Sequence, residues 1–112
     1  MVRRAQVLGE LEQLVLLAVA RLGDDAYAVA VRDEVEREAG VNLSRGTIYV
    51  TLDRLEQKDL LSSRFSEPTA ERGGKARRCF RLKPAAVQAL RDSQRALDRL
   101  WAGVSFAPER KG

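Results

Sequence analysis

The chain has no histidine and a single cysteine in 112 residues. Without histidine it lacks the commonest general base and the commonest metal ligand. One thiol, Cys79, can neither close an internal disulfide nor build a thiolate metal site, which fits a reducing compartment. Cys79 is read as a small apolar strand residue, with a reactive thiol eased by Arg78 and Arg81 as the alternative. No run of about 20 apolar residues is present, so no segment is expected to span a membrane. The longest apolar run, Leu14 to Ala20, is short and follows Glu10 and Glu12, unlike the core of a secretion signal. The cytoplasm is therefore the expected location. Gly73-Gly74 lacks the lysine and hydroxyl spacing of a phosphate-cradling loop. The acidic residues lie beside Arg and Lys on helix surfaces, as on a solvated face. No catalytic residue, metal or cofactor is expected.

What is present is a folded, basic domain. The chain is 45% hydrophobic and 32% charged, with a net charge of +4. That balance favours anionic partners, and the length suits one domain with a thin core.

Periodicity orders the elements. Leu11, Val15, Ala18 and Leu22 share a helical face between about Leu8 and Leu22, and Leu14 and Leu17 widen it. A helix so apolar needs more than one neighbour, and a second subunit can be one of them. Gly23-Asp24-Asp25 stops it. A second helix runs from about Tyr27 to Ala39, with Arg32, Asp33, Glu36 and Arg37 toward solvent and Gly40 as a left-handed cap. Ser44 is placed to cap a third helix ending near Lys58, with Ile48, Leu52 and Leu55 inward. The period then falls to two. Leu61, Ser63 and Phe65 alternate with Ser62, Arg64 and Ser66, and Phe80 and Leu82 with Cys79 and Arg81, around a loop at Pro68 and Gly73-Gly74. Pro84 opens a last helix to about Trp101, along which Val87, Leu90, Gln94, Leu97, Trp101 and Val104 fall on heptad steps.

Three helices, a hairpin and a fourth helix define the expected fold. It is mostly α with a small β-hairpin: a winged helix-turn-helix over residues 1–83, with its recognition helix at about 44–58 and its wing at about 61–82. Residues 84–104 form a C-terminal dimerisation helix, and 105–112 a loose tail.

The third helix turns Gly46, Thr47, Val50, Asp53, Arg54 and Gln57 outward, with Arg45 and Thr51 flanking its N-terminal end. A recognition helix presents that end to base edges in the major groove. Arginine pairs with guanine, and threonine or valine methyls pack on thymine. The candidate DNA-contacting residues here are Ser44, Arg45, Thr47, Val50, Thr51 and Arg54, with the Tyr49 hydroxyl directed to a phosphate. The hairpin adds Arg72, Lys75, Arg77, Arg78, Arg81 and Lys83, six basic residues in twelve positions with no acid among them. Arg72, Lys75, Arg77 and Arg78 are the candidate phosphate contacts, since phosphate neutralisation releases counterions.

The run Ser44-Arg45-Gly46-Thr47-Ile48-Tyr49, then Leu52, Arg54-Leu55-Glu56 and Leu60, resembles the signature of the PadR family of transcriptional regulators. The wing Glu67-Pro68-Thr69-Ala70-Glu71-Arg72-Gly73-Gly74, then Arg78 and Phe80-Arg81-Leu82, is similar to that family too, and the likeness runs from about Leu8 to Leu100. Ala26-Tyr27-Ala28-Val29, Val50, and Lys83-Pro84 with Val87 depart from the family pattern. The resemblance implies a homodimeric repressor acting on operator DNA, joined through its first and last helices. The dimer candidates are Leu11, Val15, Val87, Leu90, Leu97 and Trp101. Two rivals remain: a winged-helix module that meets an acidic protein, and a sensor whose small-molecule effector sits at the dimer interface beside Trp101.

Overall fold

The structure, a computed structural model, describes residues 8–67 and 76–106. In chain order these form α1 (Glu10–Leu22), a 3-10 turn (Gly23–Asp25), α2 (Ala28–Ala39), α3 (Arg45–Gln57), β1 (Leu61–Phe65), β2 (Arg78–Leu82) and α4 (Pro84–Trp101). This is the mostly helical winged-helix order expected from the sequence. The element ends have local causes. The Gly9 N–H donates to the Glu12 carboxylate at 3.2 Å and occupies one orphan amide at the start of α1. Gly40 closes α2 at φ 68°, in the left-handed region where a side chain is strained. Pro84 stands in the first turn of α4, where its missing N–H costs no hydrogen bond.

The core is built where three helices meet the base of the hairpin. Val15 and Leu16 of α1, Val31 of α2, Ile48, Leu52 and Leu55 of α3, and Leu60 and Leu61 are fully buried together. Each contributes about 1.5–3 kcal/mol by leaving water. β1 and β2 pair antiparallel, with Leu61 opposite Leu82, Ser63 opposite Phe80 and Phe65 opposite Arg78. The Phe80 N–H donates to the Ala26 carbonyl at 2.8 Å, and Tyr27 bridges Cys79, so the chain entering α2 lines the other edge of β2. Cys79 is buried in that strand, away from the exposure a reactive thiol needs. Phe65 stays exposed despite its alternation with Arg64, because only the base of the hairpin reaches the core.

Several expectations change. Val15 is completely buried inside the subunit, so a second copy cannot touch it, whereas Leu11 is half-buried, like Leu90, and keeps a surface a second copy could meet. The buried face of α1 is Val15, Leu16, Ala18 and Val19, which turns Leu17 outward instead. The helix wheel found the apolar residues but placed the centre of the buried face too far round. Glu34 was missed altogether. It is buried, takes a hydrogen bond from Arg21 Nε at 2.5 Å and an ion pair from Arg37, and so ties α1 to α2.

α4 touches the head only through its first half. Ala86, Ala89 and Ser93 are buried, whereas Leu97 is 50% and Trp101 60% exposed. The radius of gyration is 17.3 Å, against about 13 Å for a compact chain of this length. The expected seam also ends early. The helix stops at Trp101, and Val104 follows Gly103 at φ 77°, off the helical path. Phe106 returns against Trp101 edge-to-face, with ring centroids 6.0 Å apart. Residues 107–112 lie outside the described residues. No helix among the described residues is long and apolar enough to cross a membrane.

Candidate nucleic-acid interface

The outer face of α3 is held from its first turn. Ser44, extended at φ −72° and ψ 161°, accepts from the Thr47 N–H at 3.1 Å and contacts the Thr47 hydroxyl at 2.9 Å. That cap fixes Arg45, Gly46 and Thr47 as a rigid, exposed first turn. Gly46 stands in open surroundings: a Cβ built there would meet nothing nearer than the Ser44 Oγ at 4.0 Å. Val50 follows one turn on and is 55% exposed, and Tyr49 stands beside it, also exposed. Thr51 does not share this surface. It is buried, and its hydroxyl donates to the Thr47 carbonyl at 2.7 Å, so it is withdrawn from the DNA-contacting set. Its methyl group serves the core and its hydroxyl is satisfied within the helix.

The basic hairpin is less free than its composition suggests. Arg78 donates to Asp53 Oδ1 at 3.0 Å and to Glu56 Oε1 at 2.5 Å, and its guanidinium lies 4.8 Å from the Phe80 ring centre. The Ser63 hydroxyl occupies the other Glu56 oxygen at 2.6 Å. That hydrogen bond, with the Arg78 contact, holds the Glu56 carboxyl below its usual range despite partial burial. Arg81 is held by Asp24 at 3.0 Å and Lys83 by Asp59. Two of the five donors of Arg78, which was expected to contact phosphate, are thus taken by carboxylates. Arg77 is placed differently, 4.0 Å above the Tyr27 ring, in a cation–π contact. Arg45, Arg54 and Arg77 carry no ion pair with a carboxylate among the described residues. Arg72 and Lys75 lie outside the described residues.

Ser44, Arg45, Thr47, Tyr49, Val50 and Arg54 are all exposed at the start or along the outer sides of α3. Arg77 flanks it across a cleft of 230 Å³ lined by Tyr27, Ala28, Tyr49 and Phe80. Tyr27, which lines this cleft, was not among the expected site residues. Its place at the opening of α2 was the only sequence signal, and its role beside Arg77 depends on a strand contact no periodicity reveals. The dimer candidates Val87, Leu97 and Trp101 are exposed along α4, and Leu90 is half-buried.

A three-helix head with a serine-capped third helix and an antiparallel hairpin is a winged helix. Residues 16–92 match the Transcriptional regulator PadR-like family, and the chain belongs to that family of transcriptional regulators. It is 36% identical over 77 residues to Transcriptional regulator Rv3488 of Mycobacterium tuberculosis, spanning 69% of this chain and 67% of that protein. The fold is similar to that of a PadR-like transcription factor from Bacteroides fragilis, with a TM-score of 0.65 at 28% identity over 80% of this chain and 82% of the other. A PadR family transcriptional regulator from Eggerthella lenta superposes with a TM-score of 0.62 at 26% identity, over 84% and 81% of the two chains.

Proposed function

We propose that this chain is a sequence-specific DNA-binding repressor that acts in the cytoplasm as a homodimer on a palindromic operator. The observation that carries the reading is the outer side of α3, where Arg45, Gly46, Thr47, Val50 and Arg54 are all exposed and Gly46 stands in open surroundings. The N-terminal half of α3 enters the major groove. Arg45 reads guanine with two parallel donors, and the methyls of Thr47 and Val50 pack on thymine. Ser44 and Tyr49 meet the backbone, as do Arg77 and the wing residues Arg72 and Lys75. Residues 1–83 form the DNA-binding unit, and 84–104 pair two copies through Val87, Leu90, Leu97 and Trp101. Selection of duplexes from a random pool by the purified protein tests this reading. A palindromic consensus whose half-sites lie about one helical turn, or a multiple, apart is expected. Retention of no DNA above background, together with capture of acidic proteins, would favour the interaction-module rival.

A second reading concerns an effector. A largely apolar groove of 450 Å³ runs between α1 and α4, lined by residues that include Leu17, Leu82, Val87, Leu90 and Leu97. It coincides with the residues proposed to pair the subunits, so an apolar small molecule seated there would bear on dimer geometry. Trp101 lies further along α4, on a shallower patch with Leu100 and Phe106. Ligand titration followed by DNA affinity, with a Leu90→Arg variant as control, tests it.

A further inference from the structure

We propose that Arg78 serves DNA binding without touching DNA, by neutralising two carboxylates on α3 that would otherwise confront phosphate. The proposal rests on α3 entering a groove, as above. Gly46, Val50, Asp53 and Gln57 follow one another at four- and three-residue steps, so they form one stripe along the outer face of α3. Asp53 therefore stands on the same surface as the open glycine and the exposed valine. A bare carboxylate at that position repels the backbone of any duplex the helix approaches. Glu56, one turn behind Leu52, adds a second negative charge at the edge of the same surface.

The geometry answers both. Arg78 Nη1 reaches Asp53 at 3.0 Å and Nη2 reaches Glu56 at 2.5 Å. The forked guanidinium is suited to holding two acceptors at once, which a single ammonium does less well. Ser63 fixes the far Glu56 oxygen, and the Phe80 ring backs the guanidinium. Arg78 is thus held from several sides at the junction of β2 and α3, and its side chain is only 33% exposed. Turning it to a phosphate would break both ion pairs and leave two carboxylates beside the phosphate it reached for. One cation against two anions leaves a single residual charge on this cluster; removing the cation leaves two.

The test measures duplex affinity by fluorescence anisotropy over a series of salt concentrations for four proteins: wild type, Arg78→Gln, Arg77→Gln, and Arg78→Gln combined with Asp53→Asn and Glu56→Gln. Arg78→Gln is expected to weaken binding about five- to tenfold, the scale of like charges several ångströms apart near water. The slope of log affinity against log salt should stay unchanged. Arg77→Gln should reduce that slope by about one, as loss of a phosphate contact does. The triple variant should bind at least as tightly as wild type, with the wild-type slope, although it lacks Arg78. A merely structural role for Arg78 predicts no such recovery, because the ion pairs are absent from the triple variant too. The triple variant leaves no carboxylate uncompensated, so it decides the matter even if Arg78→Gln fails to fold. Weak binding by the triple variant, or a slope reduced by about one, overturns the proposal. If wild type itself binds no duplex, the DNA-binding reading fails and this inference with it; if wild type binds and only the recovery is missing, this inference alone falls.

Discussion

Gly46→Ala separates the needs of the fold from the needs of a partner. Gly46 is the second residue of α3 and is not among the glycines with positive φ. Beyond the backbone of its own helix turn, a methyl group there would meet nothing nearer than the Ser44 Oγ, 4.0 Å away. Glycine in a helix costs about 0.5–1 kcal/mol relative to alanine, through the freedom it loses on folding. Nothing within the subunit repays that cost. Gly46→Ala should therefore stabilise the protein by about 0.5–1 kcal/mol, a rise in Tm of about 2–8 °C for a domain of this size. If α3 lies against base edges with Gly46 at the contact, the same methyl overpacks the interface by about 1–3 kcal/mol. Affinity for the selected site should then fall roughly five- to a hundredfold. Thermal melts by circular dichroism at one protein concentration and anisotropy titrations on one preparation give both quantities. A lower Tm would show that the fold itself demands glycine, and an unchanged affinity would mean that α3 does not approach DNA closely at residue 46. Opposite signs in the two assays are the expected outcome.

Other expectations follow from the same surfaces. Arg45→Ala should cost about 1–3 kcal/mol at the cognate site and relax preference at one base pair per half-site, while binding to random DNA barely changes; an identical selected consensus would move Arg45 to the phosphate contacts. Leu97→Asp places a charge in the apolar seam of α4 and should yield a monomer by sedimentation velocity; an unchanged dimer would locate the interface elsewhere. Acid stability should depend on Glu12 and Glu56. Glu12 is held below its usual range against the penalty of partial burial, by its hydrogen bonds to the Lys58 ammonium and the Gly9 N–H, and Glu56 by Ser63 and Arg78. Each contributes stability that is present above the ordinary carboxylate range and lost as pH falls through the lower folded value. Glu56→Gln should therefore flatten the loss of Tm between about pH 5 and 3, and an identical acid profile would remove Glu56 from that account.

The elements were legible in the sequence because each carries a local cause. Ser44, Gly40 and Pro84 mark helix ends through hydrogen bonds or backbone angles that involve only neighbours in the chain. Ile48, Leu52 and Leu55 repeat at helical spacing, and the hairpin repeats at two. Pairings between distant residues were not legible. Arg78 is separated from Asp53 by 25 positions and Arg81 from Asp24 by 57, and no period connects them. Val15 and Thr51 failed for other reasons. Thr51 lies at the margin of a helical face, where an error of a few tens of degrees decides between core and surface, whereas Val15 lies at the middle of the buried face of α1, and periodicity does not say whether an apolar face meets its own core or a second copy. Glu34 was invisible because its burial depends on Arg21, thirteen residues earlier on another helix.

Those long-range pairings also change what the basic composition means. The hairpin and its exit hold six cations in twelve positions, and the count alone points to a uniformly positive wing. In the folded chain, Arg78, Arg81 and Lys83 are all committed to carboxylates of α3, of the turn after α1 and of the α3–β1 connection. Each of these pairs joins the hairpin base to the helical head, and surface pairs of this kind contribute little stability individually. Their consequence is geometric and electrostatic. They tie the base of the hairpin to α3 and to the turns beside it, and they cancel positive charge there. On α3 and the described part of the hairpin, Arg45, Arg54 and Arg77 carry no carboxylate ion pair, and Arg72 and Lys75 lie outside the described residues. A uniformly basic wing would attract any duplex from any direction. If α3 enters the groove as proposed, unpaired positive charge on both flanks of its outer face favours the approach in which that helix leads, and base discrimination requires such an approach.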